Sequence, residues 1–252
     1  MKLLIEKKAA LVDKQAFKII KMQVKKKPDS LIGLAVGKTT DSLYKLISKD
    51  TIKNSNHWGK VRLFQIDENL GIGPDSPISF NFEVRQELKP LLKLVNPKNV
   101  FLIDGIKNPK LTIKEAYKFI KKNKGIDLII LGLGPKYDPH IAYNTTGNSS
   151  LNSKMRVVDL HSKIIKKLRS KSHSSSITTK YLKGITLGIK DILESKKALL
   201  LAYGEDKAKS VSLALNGKVN MNKASASALV LHKDLTVVLD KAASKYLKLK
   251  CK

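Results

Sequence analysis

The stretch Asp127-Leu-Ile-Ile-Leu-Gly-Leu-Gly134 predicts a buried strand that breaks into a glycine turn. A short apolar run bounded by glycine is typical of a strand covered on both faces of a parallel sheet. Asp138-Pro-His140-Ile-Ala-Tyr-Asn144 follows it closely. Ligands bind open α/β sheets at the carboxyl ends of the strands, so these polar residues are candidates for a site.

Two earlier segments repeat this arrangement of an apolar run followed by reactive side chains. Leu31-Ile-Gly-Leu-Ala-Val-Gly-Lys-Thr-Thr40 ends in a Gly/Thr turn, and Leu63-Phe-Gln-Ile-Asp67-Glu68-Asn-Leu-Gly71 ends in two acids. If these strands belong to one parallel sheet, a phosphate-type loop, a carboxylate and an Asp/His pair meet at one edge.

The rest of the chain alternates strands and helices, which favours βαβ units. We predict an α/β fold with an open, mostly parallel, doubly wound (Rossmann-like) sheet and helices on both faces, forming a single domain over residues 1–252. The predicted strands are 31–36, 61–66, 99–103, 126–132, 197–202 and 235–239. The predicted helices are 8–25, 40–49, 81–93, 112–123 (with a capping box from Thr112 to Glu115), 205–214, 223–231 and a last lysine-rich helix.

Residues 144–180 depart from this rhythm, because they are rich in Asn, Ser, Thr and Lys and contain one weak helix near 157–168. The segment is a candidate lid over the active edge. A plain surface loop explains the composition equally well.

The formal charge of +28 raises the question of nucleic-acid binding. Only four of the 49 basic residues are arginine, whereas nucleic-acid surfaces favour its bidentate fork. We therefore expect a solvated, lysine-rich surface with non-specific affinity for polyanions and no specific nucleic-acid partner. No apolar stretch approaches a membrane span, and a single cysteine, Cys251, fits a reducing cytoplasm.

The loop Gly37-Lys38-Thr39 resembles a P-loop, but Ile32 stands where the first glycine of that motif belongs. We therefore do not predict a nucleotide-hydrolysing site. A glycine turn before a helix still offers backbone N–H groups and a positive dipole end to an anion, helped by Lys38, Thr39 and Thr40. Thr39 or Thr40 could instead only cap the helix.

The acids and the histidine suit proton transfer. Either Asp67 or Glu68 can point at the site as a general base, unless both are solvated turn residues. His140 can move a proton between two sugar oxygens, with Asp138 orienting its ring. No second histidine lies at ligand spacing, so we predict no metal; the other four histidines are expected to be structural or on the surface.

Together these segments resemble the glucosamine-6-phosphate deaminase/isomerase family, a relative of the 6-phosphogluconolactonases. Its Gly-Gly-Thr-Pro, Asp-Glu-x-x-Gly and Gly-x-Gly-x-Asp-Gly-His-Ile-Ala-Phe-Asn-Glu motifs correspond to Gly37–Thr40, Asp67–Gly71 and Gly132–Thr145. Further similarity lies in Ile185–Gly188, Gly204–Ala208 and Ala224–His232, so the resemblance covers about residue 30 to 243.

The resemblance implies roles for individual residues. Asp67 corresponds to the base that moves a proton from C2 to C1 of the open-chain sugar, and His140 with Asp138 to the ring-opening pair. Gly37 and Thr39 correspond to the phosphate loop and Lys207 to a phosphate-binding lysine. Arg169 or Lys171 could supply the cationic residue of the lid.

The implied reaction converts glucosamine 6-phosphate to fructose 6-phosphate and ammonia without a cofactor. The implied partner is a phosphorylated amino sugar, and the family tends to form homo-oligomers. The alternatives are a catalytically degenerate sugar-phosphate-binding protein and a 6-phosphogluconolactonase.

Three departures from the family motifs accompany this resemblance. Thr145 replaces the family's glutamate, Lys38 replaces the second loop glycine, and Asp138-Pro-His140 replaces Asp-Gly-His after a loop lengthened by Pro135-Lys-Tyr137. Lysine would be strained at Lys38 if that position has a positive φ.

Overall fold

The structure is a computed structural model, which describes residues 1–171 and 183–248. The strands are β1 (Lys2–Glu6), β2 (Leu31–Leu34), β3 (Arg62–Gln65), β4 (Asp67–Asn69), β5 (Val100–Phe101), β6 (Leu128–Gly132), β7 (Arg156–Asp159), β8 (Lys183–Thr186), β9 (Ala198–Ala202) and β10 (Leu235–Asp240). The helices are α1 (Ala9–Lys26), α2 (Asp41–Lys53), α3 (Ser55–Trp58), α4 (Phe80–Glu87), α5 (Lys89–Leu94), α6 (Pro109–Lys122), α7 (Ser162–Lys171), α8 (Ile189–Leu193) and α9 (Ala208–Leu215).

Seven strands form one sheet in the order β1-β10-β9-β6-β2-β3-β5, and every neighbouring pair is parallel. The chain builds outward from β2 through β3 to β5, and then crosses to the other side of β2 to form β6. The order therefore reverses between β2 and β6, and the carboxyl ends of these strands flank the crevice where open α/β sheets bind ligands.

Helices cover both faces of the sheet, as predicted. The side chains of β6 alternate between the two faces and contribute to a hydrophobic core on each. Ile129 and Leu131 pack on one face with residues of α6, α8 and α9. Leu128 and Ile130 pack on the other with residues of α1, α2 and α5. All four are buried, which explains why the sequence of this strand is continuously apolar.

A second sheet of three antiparallel strands, in the order β4-β8-β7, was not predicted. Its strand β7 occupies part of the region near 157–168 where we predicted a helix, and α7 begins only at Ser162. The β-branched residues Val157 and Val158 pair with Ile185 and Gly184 of β8, a tertiary contact that local helical spacing does not reveal.

Two predicted helices differ from the structure, one in its first residue and one in its continuity, and the local sequence explains both. The helix predicted at 112–123 begins at Pro109, because Asn108 caps it by accepting a hydrogen bond from the N–H of Lys110 (2.9 Å). The helix predicted at 81–93 is split at Leu88 into α4 and α5, since Pro90 lacks the N–H that a continuous helix needs.

The carboxyl-terminal part departs from the predicted helices as well. The helix predicted at 223–231 is a 3-10 helix over Ser225–Leu231. Residues 241–246 form turns in place of the predicted lysine-rich helix. In the candidate lid, residues 144–171 contain β7 and α7, and residues 172–180 lie outside the described residues.

Candidate active site

The loop Gly37–Thr40 leads from β2 into α2. Gly37 has a φ of 137°, a conformation that favours glycine, and its carbonyl accepts hydrogen bonds from the N–H (2.8 Å) and hydroxyl (2.9 Å) of Thr40. Thr40 therefore uses its hydroxyl inside the loop, and it does not cap α2 with its side chain as proposed from the sequence. Lys38 is exposed and does not have a positive φ, so lysine is not strained there.

The loop lies against the end of β6. Gly132 approaches Thr39 so closely that a Cβ on this glycine would lie 3.6 Å from the Thr39 Cβ. The hydroxyl of Tyr203 donates to the carbonyl of Lys38 (2.8 Å). Lys207, which precedes α9, donates to the carbonyl of Leu133 at 2.7 Å. A cation, a threonine and a helix N-terminus thus gather around the crevice between β2 and β6.

Arg169 lies in α7, and its side chain is outside the part of the chain that the structure describes. The structure therefore does not test its predicted contact with the phosphate.

Asp67 begins β4, directly after the end of β3. It is 5% exposed, and its Oδ1 is buried without a hydrogen-bond partner among the described residues. Burial raises the pKa of Asp67 well above its ordinary value, and the neighbouring Glu68 raises it further. A buried carboxylate oxygen with no internal partner is available to a substrate C–H or O–H group.

Glu68 has a different role, because its side chain points into the protein. Its carboxylate accepts hydrogen bonds from the backbone of Asn69 (2.7 Å), Phe80 (2.9 Å) and Asn81 (2.6 Å). The side chains of Gln65 (3.1 Å) and Ser79 (2.9 Å) also donate to it. Glu68 therefore holds the start of α4 against β4, and of the two adjacent acids only Asp67 remains available for chemistry.

Asp138 and His140 form a pair in the loop after β6. The Oδ2 of Asp138 lies 2.8 Å from Nδ1 of His140. Its Oδ1 accepts hydrogen bonds from the backbone N–H (2.8 Å) and hydroxyl (2.7 Å) of Thr146. Burial by itself would raise the pKa of Asp138, but hydrogen bonds from His140 and Thr146 lower it to about 2. Asp138 is thus ionised near neutral pH and accepts the Nδ1 proton, so that Nε2 of a neutral ring can act as a base.

Gly134 allows this loop to fold closely over the end of β6. A Cβ there would lie 2.4 Å from the carbonyl oxygen of Asp138 and 2.8 Å from Cγ of His140. The N–H of Gly134 donates to the carbonyl of His140 at 2.8 Å. The close packing sets the position of the histidine.

Tyr143 links this loop to the strand that carries Asp67. Its hydroxyl donates to Oδ1 of Asn69 (2.7 Å), and its N–H donates to Oγ1 of Thr186 (3.1 Å). Thr186 is the residue of β8 that pairs with Asp67. Tyr143 therefore ties the loop that follows His140 to β4 and β8, the strands on which Asp67 and Thr186 lie.

The sequence profile of the glucosamine-6-phosphate isomerases/6-phosphogluconolactonase family matches residues 5–238. The chain belongs to this family. A glucosamine-6-phosphate deaminase of Clostridium botulinum (strain Loch Maree / Type A3) is 37% identical over 253 residues, which cover 99% of this chain and 100% of that protein. One of Thermoanaerobacter sp. (strain X514) is 32% identical over 247 residues, covering 97% of this chain and 94% of that protein.

Solved structures of the glucosamine-6-phosphate isomerase/6-phosphogluconolactonase family show the same fold. A monomeric glucosamine-6-phosphate deaminase superimposes with a TM-score of 0.86 at 27% identity, over 98% of this chain and 100% of that one. The 6-phosphogluconolactonase from Trypanosoma brucei has a TM-score of 0.74 at 17% identity, over 98% of each chain, which shows the fold alone.

The family's glutamate position is occupied by a buried residue here. Thr145 is 4% exposed, and its hydroxyl has no hydrogen-bond partner among the described residues. The next residue, Thr146, is the one that contacts Asp138.

Sequence reasoning missed Tyr143, Asn69 and Thr146, which connect the predicted residues. Tyr143 and Asn69 bond to each other although they lie far apart in the chain. Thr146 reaches Asp138 through the course of the loop between them, so the sequence gave no indication of either contact. No cluster of three or more His, Cys, Asp or Glu side chains in the described ranges is arranged to hold a metal ion. None of the described helices has the length and apolar character needed to cross a membrane.

Proposed function

We propose that this protein is an enzyme that converts glucosamine 6-phosphate and water to fructose 6-phosphate and ammonia. The family, and relatives that are named glucosamine-6-phosphate deaminases, support this proposal. The observation that carries it is the buried oxygen of Asp67, which has no hydrogen-bond partner in the described ranges and lies at the same sheet edge as an anion loop and an Asp/His pair.

The phosphate of the substrate would bind at the Gly37 loop. The N-terminus of α2, a helix of 13 residues, presents N–H groups and a positive dipole end to an anion. The hydroxyl of Thr39 and the ammonium group of Lys207 lie on the other side of the loop, beside the end of β6. Lys38 adds positive charge from the exposed side of the loop.

His140 would open the sugar ring. Its Nδ1–H is held by the Asp138 carboxylate, so Nε2 can take the proton of the hydroxyl on C1. The C1–O5 bond then breaks as the proton passes to O5, which produces the open-chain aldehyde. The ionised Asp138 stabilises the imidazolium form in between.

Asp67 would move the proton that isomerises the open chain. As a carboxylate it removes the proton on C2 of the amino aldehyde, while the substrate's own ammonium group gives a proton to the carbonyl oxygen on C1. Asp67 then returns its proton to C1 of the resulting enolamine, which gives the C2 iminium ion of the ketose. Burial suits Asp67 both to remove the proton from C2 and to return it to C1. A carboxyl group with a raised pKa is a stronger base when it is ionised, and it holds a proton up to a higher pH. Water then adds to the imine and ammonia leaves.

The experiment measures ammonia release from glucosamine 6-phosphate, together with ligand binding by thermal shift. We expect the wild type to release ammonia. Asp67→Asn should lose at least about 1,000-fold in kcat and retain binding, because the amide keeps the shape but accepts no proton. Lys207→Ala should raise KM by about tenfold or more with a smaller effect on kcat, since it removes one charge-assisted contact to phosphate.

Two outcomes would replace this proposal. Stabilisation of the wild type by the sugar phosphate without ammonia would establish a degenerate binding protein, which the absence of a carboxylate at Thr145 makes a meaningful alternative. Hydrolysis of 6-phosphogluconolactone in place of deamination would establish a lactonase. Equal loss of binding and turnover in both variants would contradict the separate roles of Asp67 and Lys207.

The finer properties of the molecule are also proposals. We propose that residues 1–252 fold as one domain and act in the cytoplasm, where sugar phosphates are available and the single cysteine stays reduced. The reaction needs no cofactor, because acid–base groups and a phosphate anchor suffice for each step.

A further inference from the structure

Within the part of the chain that the structure describes, every hydrogen-bond partner of the Asp138 carboxylate comes from one short loop. Oδ2 faces His140, and Oδ1 accepts both the N–H and the hydroxyl of Thr146. The two bonds from Thr146 are 2.8 and 2.7 Å long, which is the range of charge-assisted hydrogen bonds. Asp138 is 3% exposed, so water contributes little to holding its second oxygen.

The chain returns to Asp138 because Asn144 anchors the reversal. Its amide donates to the carbonyls of Ile141 (3.1 Å) and Leu187 (2.8 Å), and its oxygen accepts from Arg156 (3.0 Å). Ala142, with a positive φ of 49°, makes the turn tight. Thr146 is therefore delivered to the back of the carboxylate by a buried and well-connected turn.

Thr145, the residue before Thr146, does not hold the Asp138 carboxylate in this way. Thr145 stands at the position of the family's glutamate, and its hydroxyl is buried without a partner among the described residues. Compared with the family motif, this site thus lacks one carboxylate near His140. The remaining carboxylate, that of Asp138, accepts hydrogen bonds from two neutral donors of Thr146.

We propose that Thr146 is a positioning residue, which holds the Asp138 carboxylate in the orientation that keeps the Nδ1–H form of His140. The proposal rests on the proposed ring-opening role of His140. A neutral imidazole outside proteins favours no single tautomer strongly, so the acceptor on Nδ1 decides which nitrogen is the base. A carboxylate fixed at one oxygen by two donors cannot rotate its other oxygen away from the ring.

The test compares three variants of the full chain. Thr146→Val removes the hydroxyl and keeps the backbone N–H and the branched shape. Thr146→Ser restores the hydroxyl. Thr145→Val is the matched control, because it makes the same change one residue earlier, at a hydroxyl that bonds to none of the described residues.

The first readout is ammonia release. Thr146→Val should lower kcat by about tenfold with KM for glucosamine 6-phosphate changed less than about twofold, by analogy with the loss that follows removal of the hydrogen-bond partner of a metal-bound histidine. Thr146→Ser should recover most of the rate, and Thr145→Val should match the wild type. Equal rates in Thr146→Val and the wild type would overturn the proposal.

The second readout does not depend on activity. The ring nitrogens of His140, observed by NMR with uniform nitrogen labelling, report which of them carries the proton. The wild type and Thr145→Val should show a protonated Nδ1 at neutral pH, whereas Thr146→Val should show a gain of the Nε2–H form. An unchanged spectrum in folded Thr146→Val would overturn the positioning role.

The two readouts separate the two proposals. A wild type that releases no ammonia contradicts the proposed function, while the NMR comparison still decides the role of Thr146. A wild type that releases ammonia, with rate and spectrum both insensitive to Thr146→Val, contradicts the positioning role alone.

Discussion

Two buried aspartates of this site have pKa values shifted in opposite directions. Asp67 has no partner for one oxygen, and burial raises its pKa well above the ordinary value. Asp138 is also buried, but three hydrogen bonds to its charged form bring its pKa down to about 2. Environment alone thus moves the pKa values of the two carboxyl groups apart, which suits Asp67 to take up and return a proton and keeps Asp138 an anion.

The raised pKa of Asp67 predicts a pH-dependent gain in stability for Asp67→Asn. An unfolded aspartate ionises near pH 4, whereas folded Asp67 still holds its proton there, so the stability of the wild type falls as pH rises through this interval. Urea unfolding should show Asp67→Asn more stable than the wild type at pH 7 by at least about 1 kcal/mol, with little difference at pH 4.

The control for this measurement is Glu115→Gln, which changes an exposed acid on α6. If Asp67→Asn were less stable than the wild type at pH 7, the carboxylate would have a stabilising partner and its proposed role would lose its basis.

At the residue scale, candidate residues for proton transfer could be named from the sequence, whereas their contacts could not. Asp67, Asp138 and His140 could be singled out because each follows an apolar strand and belongs to a residue type that transfers protons. The burial of Glu68 could not be predicted, since its donors come from Ser79, Phe80 and Asn81 on a later helix. Which of two adjacent acids faces inward depends on that packing.

At the scale of elements, the loops after β2, β3 and β6 carry the site, and the strands place them side by side. The central strands could be predicted because they are buried on both faces and therefore continuously apolar. The strands β1, β4, β7 and β8 were missed, because each is partly polar and becomes a strand only by pairing with a distant partner.

The closeness of the His140 loop to β6 predicts a large effect of one methyl group. Gly134→Ala should lower kcat for ammonia release by about tenfold or more, because a Cβ cannot fit 2.4 Å from the carbonyl oxygen of Asp138 and must displace the loop. Gly217→Ala is the control, since nothing lies within 4 Å of a Cβ there. Wild-type kinetics in Gly134→Ala would show that the loop does not set the position of His140.

At the scale of the whole molecule, the charge of +28 opposes close contact between copies of the chain. We expect sedimentation at low salt to give the mass of a monomer, 28.0 kDa, and any self-association to increase with salt as the repulsion is screened. We also expect retention on a heparin column that salt abolishes. Assembly that weakens with added salt would show that attractive ion pairs, and not screened repulsion, govern association.

The order of the strands has a consequence for how such an enzyme can change over generations. The sheet is complete without the loops at its carboxyl edge, so a loop can gain residues while the strands on either side keep their pairing. Mutation can therefore explore new reactions at this edge at little risk to folding. The strands of the sheet must therefore be retained together, whereas the residues of each loop can change separately.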